Sequence, residues 1–442
     1  MRDHKLVRFL IRTALVTILA VATAGLAAAA SPDPLVSGPS PFASCTIGGP
    51  GTNYVNAEVE PYVAVNPTNS QNIVGVWQQD RWSNGGAHGL VAGFSFDGGT
   101  TWGETALPFS ACAPGTPSAL QYERASDPWV SIGPDGTAYS VSISFNATNN
   151  NNAVAAATST DGGRTWGNVR VIIADNAPNF QFFNDKESVT ADPVTAGTAY
   201  AVWDRLETPN GNPRASRHTR AFKGPALFSK TTDGGLHWSA PRVIVDFTAS
   251  NQQTIANQIV VDPRNGTLYN FFDLIMPPSR PSPYNVAFIK STDGGTTWTK
   301  PQIIANLQTV FVTDPNTGQA IRTGDIIPEP AIDPVTGQLY VVWQDSRFTG
   351  HHFDEVALST STNGGTTWSA PIQVNTNTPA NHQGSPRRST SVQTARSASP
   401  TTTSAASPRR PRRCRLITGS CRRPIMVRAS ATRCTSPAPS TC

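Results

Sequence analysis

The chain has 442 residues, of which only 14% are charged, while Gly and Pro together number 72. So few charges exclude long solvent-facing helices and coiled coils, which need Glu and Lys on their outer faces. An apolar content of 38%, with 10 Trp and 18 Phe, excludes wholesale disorder and leaves a turn-rich, all-β globular chain. The net charge of +5 is unevenly spread. Residues 384–442 hold 12 Arg and no acid, residues 1–30 add +3, and residues 31–383 carry −10. With the basicity in a tail and an acidic body, the charge does not point to nucleic acid.

Residues 1–30 read as a secretory signal. A basic stretch to Arg12 leads into an apolar run, Ala14 to Ala27, and then Ala28-Ala29-Ala30 before Ser31. A retained anchor is the alternative. No later run reaches the 18 or so apolar residues of a spanning helix, so the expectation is an exported monomer, free of the membrane once the signal is removed. Export permits disulfides, and Cys45 and Cys112 are the only cysteines before the tail. They either pair or stay as two thiols. No CxxC or Cys/His spacing suggests a metal, and nothing calls for a cofactor. A Pro/Gly-rich lead-in, 31–54, precedes the repeats.

One element then recurs five times. Its first copy is Ser95-Phe96-Asp97-Gly98-Gly99-Thr100-Thr101-Trp102, and its later copies place Asp161 with Trp166, Asp233 with Trp238, Asp293 with Trp298, and Asn363 with Trp368. Asp-Gly-Gly supplies residues that accept positive φ, and the carboxylate can accept bonds from the turn's own amides. The Trp can anchor the turn to its sheet, which predicts a largely buried ring. Asn363 stands in for Asp without disturbing its neighbours, so these residues read as scaffold. Strands flank each box, and a second strand pair lies upstream, as in Glu60–Val65 leading to Val76-Trp77. Each unit is thus four short strands, and five such units over 55–383 predict the blades of a β-propeller.

The Ser/Thr-X-Asp-X-Gly-X-Thr-Trp element resembles the Asp box of sialidases and related bacterial-neuraminidase-repeat proteins. That resemblance covers about residues 55–380 and implies a six-bladed propeller of sialidase type, one blade more than is legible. It also implies a secreted glycoside hydrolase acting on terminal sugars of glycans, an exo-alpha-sialidase. The alternative is a non-catalytic propeller that binds glycans or a protein partner. The family's Arg–Ile–Pro clamp has its nearest counterpart in Val59-Glu60-Pro61, where an acid replaces the basic residue. The family's Tyr nucleophile has candidates in Tyr62, Tyr200 and Tyr340.

Two sets of polar residues recur where the inner strands should meet the channel. One follows a Trp: Asp80-Arg81, Asp204-Arg205, and Asp345 with Arg347. The other lies near the start of the first strand: Glu60, Asp127, Glu187 and Glu329. Paired carboxyls with cationic anchors suit a glycosidase that takes an acidic sugar. Asp80, Asp204, Glu187 and Glu329 are therefore the catalytic candidates, and Arg81, Arg205 and Arg347 the substrate-binding ones. Blade-to-blade salt bridges are the competing account of the same pairs.

The tail, 384–442, has no Phe, Trp, Tyr, Asp or Glu. It is either a disordered extension or a sixth blade lost to a frameshift. A one-base shift lets Thr394–Ala405 read as a strand-like run ending in Asp-X-Arg, which favours the second.

Overall fold

The computed structural model describes residues 34–375, apart from 177–180, 208–222, 278–282, 315, 322 and 325. Beyond 375 it describes only the backbone of the short strands Gly384–Ser385, Thr402–Thr403, Arg415–Cys421 and Arg423–Ser430. The signal segment and the side chains of the tail, with the expected sixth blade, lie outside the described residues.

The described residues are all-β, with two single-turn 3-10 helices, Ser118–Leu120 and Arg347–Thr349. No helix among them is long and apolar enough to cross a membrane. The strands form five consecutive four-stranded antiparallel blades. The first holds β1 (Asn53–Val65), β2 (Ile73–Trp82), β3 (Ala87–Ser95) and β4 (Gly103–Leu107). The second holds β5 (Arg124–Ile132), β6 (Ala138–Phe145), β7 (Asn152–Ser159) and β8 (Gly167–Asp175). In the third, β9 (Phe182–Ala191) and β10 (Ala199–Glu207) precede a short linking strand, β11 (Lys223–Gly224), then β12 (Ala226–Thr231) and β13 (Arg242–Val245). The fourth is β14 (Gln252–Val261), β15 (Leu268–Ile275), β16 (Asn285–Ser291) and β17 (Gln302–Asn306). The fifth is β18 (Glu329–Ile332), β19 (Leu339–Asp345), β20 (Glu355–Ser361) and β21 (Ile372–Gln373).

Successive blades pack face to face, which is why their middle strands are apolar or small at nearly every position. β6 and β15 are buried along their whole length, whereas β8 and β17 are largely open. Val74, Val76 and Leu90 of blade one meet Ala153, Ala155 and Val130 of blade two. Val141, Ile143 and Val154 meet Trp203 and Val189 of blade three, and Phe271 and Phe288 of blade four meet Val341 and Trp343 of blade five. The first strands of the blades lie side by side, β1 by β5, β5 by β9, β9 by β14, and β14 by β18. This is the arrangement of propeller blades around an axis.

The lead-in is built into blade one. Phe42 and Val36 cover its outer face, on Val63, Ile73, Trp77 and Val91, and a disulfide joins Cys45 to Cys112. The fully buried Arg124 donates to the carbonyls of Gly48 and Pro50 and stacks on Trp82.

The boxes are hairpin turns closed by bonds among their own residues. Asp97 accepts from the Thr101 amide at 2.8 Å and the Thr101 hydroxyl at 2.7 Å, while the Ser95 hydroxyl accepts from the Gly99 amide at 2.8 Å. Asn363 serves because its amide can donate to the Thr367 hydroxyl at 2.8 Å while its oxygen still accepts the Thr367 amide at 2.9 Å. The second Gly of the second to fifth boxes has positive φ and no room for a side chain. A Cβ on Gly295 would lie 2.6 Å from the Phe228 ring of the blade before it.

The box tryptophans depart from expectation. They are half-buried, and Trp166, Trp238, Trp298 and Trp368 fit between two blades rather than beneath their own hairpins, with Trp298 5.6 Å from Phe228 and Trp368 5.9 Å from Phe271, while Trp102 packs on blade one and the lead-in. The turn carries its ring over the edge of the preceding sheet, where only one side is covered. Trp298→Ala is therefore expected to cost about 2 kcal/mol, below the core range, and Trp203→Ala, fully buried, about 3–5 kcal/mol. Urea denaturation measures both, and equal losses would show the box ring to be as deeply packed as Trp203.

Candidate active site

Four first strands carry the same irregularity. Their pairing with the second strand skips between Val59 and Tyr62, between Ser126 and Trp129, across Lys186-Glu187, and between Ile255 and Gln258. At each skip a non-glycine residue takes the left-handed region: Glu60 (φ 54), Asp127 (φ 53), Lys186 (φ 50) and Ala256 (φ 60). Such backbone costs of order 1 kcal/mol or more per residue and bulges re-aim side chains. Each lies six residues before the turn residue that ends its strand: Asn66, Gly133, Asp192 and Asp262. The same count from Asp333 falls on Ile327, so Glu329 occupies the place of Tyr62 and Trp129 rather than that of Glu60.

The bulges bring three blades together. The Lys186 ammonium lies 3.3 Å from Glu60 Oε2 and 3.3 Å from Asp127 Oδ2. Asp127 also accepts from the Ser126 hydroxyl at 2.5 Å and from Gln78 Nε2 at 3.4 Å. Asp185 accepts from the Lys186 amide at 3.0 Å and stands opposite Asp204 on β10. Glu60 and Lys186 are part-exposed, at 19% and 22% of their side chains, as are Asp185 and Glu329. Behind them Asp127, Glu187 and Asp204 are buried, and neither oxygen of Glu187 or of Asp204 has a hydrogen-bond partner.

These carboxyls hold their protons unusually tightly. Burial, and then the charge of Asp127, push Asp185 up to about 7. Burial pushes Glu329 up to about 7 against the pull of Lys186 and a bond from Gln258. Glu187 and Asp204 stand well above the usual range, through burial first and then through Asp127 and Asp185 respectively. Asp127 is raised by burial and by Glu60, with Lys186 opposing. The site thus joins carboxyls that share an ammonium to carboxyls that are protonated near neutral pH, a combination that moves protons.

Of the residues expected to do chemistry, Glu187, Asp204 and Glu329 fall in this cluster. Asp80 does not. It is fully buried and accepts from the Ser40 hydroxyl at 2.6 Å and the Asn56 amide at 2.7 Å. Burial raises it, but its bonds to His88, Ser40, Asn56 and Gln79 hold it below the usual range. Arg205 makes a bidentate pair with Asp175 and stacks 3.7 Å above Phe182. Arg347 forks onto Asp345 at 2.7 and 2.8 Å, and Arg81 donates to Gln78 at 2.6 Å. Tyr200 donates to Asp192 at the far turn, and Tyr62 stacks on Trp129. Sequence reasoning passed over Lys186 and Asp185. The six-residue count that links Glu60 to Asn66 would have found Lys186 before Asp192.

No family profile matches the chain, and no curated protein is similar to it in sequence. Among solved structures it is similar to an alpha-L-arabinanase of Penicillium chrysogenum, at 13% identity over 73% of this chain and 83% of that one, with a TM-score of 0.48. An alpha-L-arabinofuranosidase of Fusarium graminearum gives 15% identity over 76% and 87%, with a TM-score of 0.46. The NanB sialidase from Streptococcus pneumoniae gives 12% over 80% and 65%, at 0.47. At these scores the likeness does not identify a function.

The carboxyls set a pH optimum for stability. The exposed box residues Asp97 and Asp233 are lowered to about 2 by their own turn's hydrogen bonds, so the stability they add is present above pH 4 and lost as pH falls towards 2. Glu329 and Asp185 are raised to about 7 against about 4 unfolded, so their contribution is present below pH 4 and lost as pH rises through 7. Urea midpoints should therefore peak near pH 4–5. Glu329→Gln should flatten the fall between pH 4 and 7, and an unchanged slope would mean that Glu329 is ionised throughout.

Proposed function

We propose that this chain is an exported glycoside hydrolase that removes terminal sugars from glycans, with the axial carboxyl cluster as its acid–base machinery. One observation carries the reading: part-exposed carboxyls from blades one, three and five, two of them raised to about 7, gather about the Lys186 ammonium. Glycosidic cleavage needs a carboxylic acid to protonate the leaving oxygen and a carboxylate to attack the sugar or activate water. Asp185 and Glu329, held to about 7, are suited to the first role. Glu60, beside Lys186, is suited to the second.

The Asp boxes favour a sialidase-type enzyme, but a sialic acid needs planar cationic donors for its carboxylate. Arg205 and Arg347 are each bidentate to a carboxylate of the chain itself. That pairing supports a terminal sugar without a carboxylate over a sialic acid.

The test is turnover by the secreted full chain on a panel of pentosides, hexosides and a sialoside. Cleavage of non-sialylated glycosides is expected, with activity falling above pH 7 as the acid ionises. Asp185→Asn or Glu329→Gln should lower kcat/KM at least about a hundredfold, as loss of a general acid does. Binding on a glycan array with no turnover on any substrate would overturn the enzyme and leave a glycan-binding propeller.

A further inference from the structure

The axial cluster sets five part-exposed or buried carboxyls, Glu60, Asp127, Asp185, Glu187 and Asp204, with Glu329 from blade five, around one ammonium. That ammonium is already divided between Glu60 and Asp127. The deeper side chains, Glu187 at 2% and Asp204 at 0% exposure, have no donor on any of their four oxygens. Unpaired buried carboxyls of this kind are costly, and a cation arriving beside carboxyls that hold their protons up to about 7 draws those protons off and pairs with the carboxylates left behind. The partner that answers both features is a cation with several N–H donors.

The geometry points to a protonated amine on the ligand, an amino sugar in the terminal position, seated among Glu60, Asp185 and Glu329 at the mouth of the cluster. The inference rests on the proposed glycosidase site and names its substrate class. A ligand hydroxyl could donate to one carboxyl but carries no charge with which to displace its proton. An N-acetylated sugar would likewise bring a neutral amide where the cluster asks for a cation. Lys186 then acts as an internal competitor, its side chain supplying in the empty site the charge that the ligand amine supplies in the filled one.

Calorimetric titration of the secreted full chain with the deacetylated glucosamine dimer and with its N-acetylated counterpart tests this. The amine should bind at least tenfold more tightly at pH 6.5, and raising the salt from 50 to 500 mM should erase most of that preference, as it does for ion pairing. Lys186→Met should tighten the amine at least fivefold and leave the N-acetylated dimer unchanged. A residue that merely held the blades together would weaken both. Glu60→Gln, which keeps shape and removes charge, should abolish the preference and serves where the Lys186 variant does not fold. Equal binding of the two dimers by the wild type would overturn the inference, and turnover of neutral glycosides would then leave the hydrolase reading intact. Amine preference with no hydrolysis of any glycoside, amine or neutral, would instead retain this inference and remove the hydrolase.

Discussion

The contact on which the rest depends is Lys186 between Glu60 and Asp127. It joins blades three, one and two at the axis, and each partner reaches it only because its strand bulges into left-handed backbone. Two carboxyls brought together in a half-buried place would repel, and removing the ammonium would leave charges that the interior cannot solvate. The ion triad therefore fixes how closely the first strands of these blades approach. The apolar interfaces behind them then set the angle at which each blade leaves the axis, with Val74 against Ala155 and Val141 against Trp203.

Further out the repeat takes over. Each box closes its hairpin with bonds among its own side chains and amides, and in the second, fourth and fifth boxes the first Gly carbonyl also accepts from Asn72, Lys230 and Lys290 of the blade before. In the second to fifth boxes the Trp and the second Gly fit against that same preceding sheet. A Cβ at Gly365 would strike Phe288, and Trp368 packs on the same ring. A local turn thereby also carries the blade-to-blade register. Blade one has no described predecessor, and there the lead-in supplies Phe42 and Val36 as cover, tied down by Cys45–Cys112 and by Asp80.

The all-β class, the five units and the boxes were legible because they depend on short local patterns, repeated often enough to be seen. Trp102 through Trp368 were legible as anchors, but what they anchor was not, since the preceding blade is some sixty residues away. The Asp-Arg pairs misled for a related reason. Asp204 follows its Trp by one residue, Asp345 by two and Asp80 by three, and in a strand each step changes the face. Similar words thus landed in three settings: the cluster, a fork with Arg347, and the seat of the lead-in. Lys186 was hidden because the bulge, not the residue type, decides which side chain turns inward.

The cluster breaks local rules in several ways at once: left-handed non-glycine backbone, buried acids raised in pKa, and carboxyl oxygens without donors. Violations concentrated in one place are characteristic of sites under functional demand. A purely structural axis would be expected to follow the repeat, with the same pair copied around the ring. Here the copies differ. The equivalent bulge position is Glu60, Asp127 and Lys186 in the first three blades, the uncharged Ala256 in the fourth, and Ile327 in the fifth, where Glu329 stands two residues further on. The scaffold repeats while its centre does not, and that lopsided centre, open on the side of Glu60, Asp185 and Glu329, is better matched to a ligand held in one orientation than to a ring of struts.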